Sequence, residues 1–226
     1  MYHLGIPHSS GYVLQNAIDP IDEHEKPTDE INLVYFSTPH RGLDILVPVF
    51  EEMRNNHFQS IKKPVNLHVY SSFKLYGWPE RDKEHKALID KCKNTEGIHY
   101  HGAVPNAEMR ENLKKMHILA YPCVWPETSC MVLMEAMSAK LLCVHSSFAG
   151  LPETAANWTM MYPVHEVAND HAQIFAQNLF NAVSLVDDSA LQDRLHMQKQ
   201  YTDAFYNWDV RAMQWKIFLE GLANGG

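Results

Sequence analysis

The chain has 226 residues, 27 acidic against 19 basic side chains, and is 46% hydrophobic. That length suits one generous domain with enough apolar material for a packed core. A net charge of −8 argues against nucleic acid as a partner, because backbone phosphates call for a basic surface. No apolar run approaches the roughly 20 residues that span a bilayer, so no integral membrane segment is expected.

In chain order, residues 1–30 come first. Pro7, Gly11, Pro20 and Pro27 interrupt them and residues 22–26 are mostly charged. This stretch is expected to be a linker or the remnant of a preceding domain. Residues 1–14 lack a charged segment followed by an apolar core, so no signal peptide is expected. From Ile31 onward short apolar runs alternate with segments of helical period. Strands are predicted over 31–36, 65–70, 98–101, 118–121, 141–145 and 159–162. Helices are predicted over 43–56, 81–93, 106–116, 129–139, 170–185, 190–206 and 210–222. Strands apolar at nearly every position imply a sheet covered on both faces. The alternation implies βαβ units, hence an α/β fold with one Rossmann-like, doubly wound parallel sheet of about six strands. The folded domain is expected over 31–226. Its last three helices have no strand between them. Trp208, Trp215 and Phe218 give the final helix an apolar side, expected in the core, with docking onto a partner domain as the alternative. Cys92, Cys123, Cys130 and Cys143 form no C-x-x-C pair and suggest small core hydrophobes in a reducing, cytoplasmic setting.

The most informative segment is 121–137, YPCVWPETSCMVLMEAM. A strand enters a loop bracketed by Pro122 and Pro126, and the loop opens into a helix. Thr128 or Ser129 is expected to cap that helix. Free N–H groups and the positive end of the helix dipole then make a site for phosphate or diphosphate. Glu127 sits in the loop and Glu135 lies about 10 Å further along the axis, its side chain leaning back toward the helix start. Carboxylates accept hydrogens from sugar hydroxyls, so the pair suits a nucleotide sugar. The alternative leaves Glu127 a solvated loop acid and Glu135 a surface residue, although Glu135 has apolar neighbours on both sides.

With Glu-x7-Glu following a strand that ends in Tyr-Pro, this segment resembles glycosyltransferase family 4 and its relatives, retaining enzymes of the GT-B fold. Asn16-Ala17-Ile18-Asp19 is similar to the Asn-Gly-Ile-Asp that closes the first domain in that family. Residues 37–44, STPHRGLD, resemble its phosphate-binding loop. His101-Gly102-Ala103-Val104 is similar to the loop near the nucleotide base, and Gly150-Leu151-Pro152-Glu153 resembles its Gly-x-Pro-Glu. Trp208 and the closing helix are similar to the C-terminal helix that crosses back to the first domain.

The resemblance implies one half of a GT-B fold, and a role in binding the donor, a UDP-, GDP- or ADP-sugar. Glu135 would hold the ribose hydroxyls and Glu127 the donor sugar. Arg41 would neutralise the departing diphosphate. The amides of Thr128, Ser129 and Cys130 would cradle a phosphate, and Val104 would lie near the base. An N-terminal acceptor-binding domain is the implied partner, through which the protein would be peripheral to a membrane if its acceptor is a lipid. No metal cofactor is implied, since no Asp-x-Asp motif is present. The family often has a Gly-Arg pair at the end of the first strand and a Lys at the position of Arg41. Here Phe36-Ser37 precede Arg41, leaving Ser37 or Thr38 as hydrogen-bond donors and Lys74 as a substitute cation. Ala149 stands where Gly is common. A non-catalytic nucleotide-sugar-binding or interaction module and a GT-B-type epimerase are the alternatives to a transferase. Two further features stand apart. His99 and His101 share a strand face without a clear third metal ligand. Tyr76-Gly77-Trp78-Pro79 offers aromatics that either cover a base or sugar or pack locally.

Overall fold

A computed structural model of the protein describes residues 11–224; residues 1–10 of the expected linker, Pro7 among them, lie outside the described residues. Six parallel strands form one sheet: β1 (Ile31–Phe36), β2 (Val65–Tyr70), β3 (Ile98–Tyr100), β4 (Ile118–Tyr121), β5 (Leu142–Ser146) and β6 (Met160–Tyr162), in the order β3-β2-β1-β4-β5-β6. The central strands β1 and β4 are buried at every position, as a sheet covered on both faces requires.

Among the described residues, eight α-helices accompany the sheet: α1 (Leu43–Asn56), α2 (Lys86–Asn94), α3 (Asn106–Leu113), α4 (Met131–Ser138), α5 (Leu151–Ala155), α6 (Ala168–Leu185), α7 (Ser189–Phe205) and α8 (Trp208–Ala223). The strand order reverses between β1 and β4. Right-handed crossovers therefore send α1 and α4 to opposite faces and open a crevice at the carboxyl ends of those two strands. α1 packs against α6, and α4 against α7, which completes the two layers.

Three expectations change. The helix predicted over 81–93 starts as a 3-10 stretch, Pro79–His85, and α2 begins only at Lys86. α4 starts at Met131 with Cys130 at the N-cap position and no side-chain cap. Ser129 instead receives the backbone amide and the side-chain amide of Asn16, each at 3.4 Å, and Thr128 is exposed. The final helix does not sit in the core. Only Arg211 of α8 is buried, while Trp208 and Trp215 are 43% and 45% exposed. Phe218 stacks on Tyr12 with ring centroids 4.6 Å apart. α8 is apolar around most of its circumference, so no rotation of the helix could hide its whole apolar surface against this sheet.

Residues 16–27, which precede the predicted domain, run as a strap along α3, α4 and α7. The Ile18 amide donates to the Tyr206 carbonyl at 2.9 Å and the Ile21 amide to Ser138 Oγ at 2.9 Å. Lys199 donates to the Ile21 carbonyl, and Lys26 to the carbonyls of Met116 and Ala139. Ile18 and Ile21 are buried beneath the strap.

Candidate functional site

The β1–α1 loop and the β4–α4 loop meet at the crevice, and one glycine permits the contact. Gly42 has φ of 119°, and a Cβ there would stand 2.2 Å from the Pro122 carbonyl oxygen. Only glycine accepts both that backbone conformation and that approach. A second close contact supports the β4–α4 loop from below. The Gly150 amide donates to the Glu127 carbonyl at 2.8 Å, and a Cβ on Gly150 would lie 2.7 Å from the Thr128 carbonyl oxygen. Ala149, beside it, adopts the left-handed region at φ 51° where the family commonly has glycine.

The resulting cleft measures about 400 Å³. Its lining brings together Ser37, Thr38, Arg41, Val104, Glu127, Ser129, Cys130 and Glu135 of the residues singled out in sequence; Thr128 is the one that does not line it. Of these, Ser37 and Glu135, 98 positions apart in the chain, thus face one space.

At one end, Arg41 Nη1 donates to Glu127 Oε1, and the Tyr121 hydroxyl donates to the same oxygen at 2.7 Å. Among the described residues, Glu127 Oε2 has no hydrogen-bond donor. Burial works against the Arg41 charge, but the Glu127 carboxylate beside it more than offsets this and raises its pKa. Burial also pushes the Tyr121 phenol far up, so it stays a donor to Glu127. The Trp125 ring flanks Arg41 at 5.9 Å. Thr38 Oγ1 and Arg41 Nε are buried without a hydrogen-bond partner among the described residues. Lys74 lies in a neighbouring hollow, so among the described residues Arg41 is the only cation lining the cleft.

The amides of Thr128 through Val132 have no protein acceptor among the described residues, and Ser129 through Val132 line the cleft. They precede or open the first turn of α4, where a helix leaves its N–H groups unpaired. The cap shifted by one residue, yet the free amides are those the sequence pointed to, extended to Met131 and Val132. Cys130 is buried and its thiol pKa is raised by that burial, which keeps it a neutral packing group.

At the other end sits Glu135, 6% exposed. Asn106, at the start of α3, donates to its Oε1 at 3.1 Å, and Arg110 Nη1 lies 3.8 Å from that oxygen. Burial raises the Glu135 pKa; Asn106 and Arg110 act against that rise, and Asp19 adds to it. Among the described residues Oε2 has no donor. Asn106 and Arg110 were missed in sequence, because a polar residue on a short helix gives no local sign of which carboxylate it will meet. Tyr70 and Gly102 border the same end beside Val104.

Leu75 and Tyr76 also line the cleft, whereas Trp78 stands outside it against Tyr76 and Arg81. His101, one residue past the end of β3, gains a neighbour on β2 that sequence spacing did not show: His68 Nδ1 lies 3.1 Å from His101 Nε2. The two rings hydrogen-bond to each other, and among the described residues no three His, Cys, Asp or Glu side chains are grouped to hold a metal ion. No helix of the described residues is long and apolar enough to cross a membrane.

A family model described as glycosyl transferases group 1 matches residues 21–176, well over half of the chain. The chain belongs to the glycosyl transferases group 1 family. No curated protein matches it in sequence. Solved structures similar to this glycosyl transferases group 1 member include a glycosyltransferase from Rickettsia africae, at 15% identity and a TM-score of 0.67 over 88% of this chain and 50% of that one. A sucrose-phosphate synthase from Thermosynechococcus elongatus is 17% identical, with a TM-score of 0.65 over 88% of this chain and 47% of that one. Anabaena HepE, solved in complex with UDP-glucose, is 15% identical, with a TM-score of 0.63 over 85% and 49%. These likenesses show the GT-B-type fold. The chain spans about half the length of each of these three structures.

Proposed function

We propose that this chain binds the nucleotide-sugar donor for a retaining hexosyltransferase. The observation that carries the reading is the convergence of Arg41, Glu127, Glu135 and the unpaired amides before α4 on one cleft. A diphosphate suits the amides and Arg41, which together offer partial and full positive charge. The ribose hydroxyls suit Glu135, whose second oxygen is unoccupied and whose first is held in place by Asn106. The sugar suits the free oxygen of Glu127. Ser37 and Thr38 add neutral donors beside Arg41, and the unpartnered Thr38 hydroxyl gains an acceptor when a phosphate oxygen arrives. Val104 and Tyr70 border the space left for the base. As the leaving diphosphate gains charge, Arg41 and the helix start stabilise it, with no metal ion assigned to the task. UDP-glucose in HepE makes uridine the first base to try.

The acceptor side belongs, in this reading, to a second domain facing the cleft, on this polypeptide or on a partner. The exposed apolar surface of α8 favours such a neighbour, and residues 11–30 would form the link to it. The acceptor would then be a glycan, a lipid or another hydroxyl compound bound by that domain.

Titrating the full chain with UDP-, GDP- and ADP-sugars, with and without EDTA, tests the reading. One of the three is expected to bind saturably, to be displaced by its nucleoside diphosphate, and to keep its affinity in EDTA. Absence of binding by all three would remove the donor-binding function.

A further inference from the structure

One arginine bridges a cleft carboxylate and the strap. Arg110 Nη1 donates to the Asp19 carbonyl at 2.7 Å and Nη2 to the Pro20 carbonyl at 2.9 Å, while Nη1 stands 3.8 Å from Glu135 Oε1. The guanidinium is planar and donates in fixed directions, so its angle cannot suit Glu135 and the two carbonyls independently. A second contact runs in parallel. Ser129, in the cleft lining, receives both hydrogen bonds from Asn16 at the start of the strap. The strap then reaches α8, because the Ile18 amide is bound to the Tyr206 carbonyl two residues before that helix begins.

We propose that Arg110 is a positioning residue that couples occupancy of the nucleotide cleft at Glu135 to the placement of the strap at residues 15–20. The proposal rests on the donor-binding reading given above. A ribose hydroxyl that donates to Glu135 shares the carboxylate with Arg110 and changes how firmly the guanidinium is held. The two strap carbonyls feel that change directly. Linkage is reciprocal, so whatever nucleotide does to the strap, fixing the strap does to nucleotide affinity. The arrangement gives a neighbour docked near the strap and α8 a route to the donor site that passes through protein groups already in contact. A merely structural arginine would fasten the strap equally with the cleft empty or filled.

The test uses the full chain and whichever of UDP, GDP and ADP binds most tightly. Affinity is measured by calorimetry from acidic to neutral pH for the wild type, Arg110→Gln, Arg110→Lys and Glu135→Ala. Hydrogen exchange of residues 15–20 is followed with and without nucleotide. The charged groups facing Glu135 are Arg110 on α3 and Asp19 on the strap. In the wild type, nucleotide is expected to slow exchange in the strap. Arg110→Gln is expected to weaken binding about tenfold, to move the pH midpoint of affinity upward, and to abolish the effect of nucleotide on strap exchange. Arg110→Lys keeps the charge but not the fork, so it should restore the midpoint and not the exchange effect.

Unchanged affinity and midpoint in Arg110→Gln would overturn the coupling. Identical strap exchange in the wild type with and without nucleotide would also overturn it, and that measurement decides alone if Arg110→Gln fails to fold. Loss of binding in Glu135→Ala alongside intact binding in Arg110→Gln removes the coupling and leaves the donor reading standing. No binding of any of the three nucleotides by the wild type removes both.

Discussion

Glu135 is an acid among apolar residues, and the sequence already marked it as one that needed a partner. The structure supplies Asn106 and Arg110 and leaves one oxygen open toward the cleft. The carboxylate, not the acid, accepts ribose hydroxyl hydrogens. Because burial holds the Glu135 pKa above the ordinary value of 4.5, nucleotide affinity should fall as pH drops through that raised value, at a higher pH than an exposed glutamate would give. Calorimetry across pH checks this, and Glu135→Gln should flatten the dependence. Arg41 and Glu127 form the other residue-scale pair. Arg41→Ala leaves Glu127 with its largest opposing charge gone, so it should cost about 1–3 kcal/mol of stability in urea unfolding, below the range for fully buried pairs because Arg41 is 19% exposed. Adding Glu127→Gln should return most of that stability without restoring diphosphate affinity. Affinity that survives Arg41→Ala would take the phosphate role away from it.

At the scale of elements, two loops and one helix start make the site. Their positions follow from the order reversal between β1 and β4, which the alternation of strands and helices made legible. The cap of α4 was not legible in detail. Thr128 and Ser129 both have good capping side chains, but Ser129 is engaged by Asn16 from a segment 113 positions away, and local propensity cannot register such a competitor. The Arg-Gly-Leu sequence was recognisable as a loop, whereas the reason for its glycine appears only where Gly42 meets Pro122. Gly42→Ala combines a disfavoured φ with a backbone collision. It should lower stability by at least about 2 kcal/mol, read from the urea midpoint at unchanged slope. A neutral result would mean that the two loops do not meet as described.

For the whole molecule, the sheet, its strand boundaries within a residue, and most helices could be read from apolar periodicity, because covered parallel strands carry an unbroken apolar signature. The strap and α8 could not. The strap has a linker's composition, and part of what fixes it comes from distant side chains reaching its carbonyls, those of Arg110, Lys199 and His117. α8 has the composition of a core helix yet lies on the surface. Ile217 there is 62% exposed, so Ile217→Glu should change the stability of the isolated chain by no more than about 0.5 kcal/mol. A larger loss by thermal unfolding would show that α8 belongs to this domain's own core and weaken the case for a neighbour.

Donor binding by this chain requires a nucleotide seated between Arg41 and Glu135 over the start of α4. A crystal structure of the chain with its tightest-binding nucleoside diphosphate measures this directly. Phosphate oxygens should accept from amides within residues 128–132, with a ribose hydroxyl hydrogen-bonded to Glu135. A nucleotide bound with its ribose away from Glu135, or outside this cleft, would contradict it.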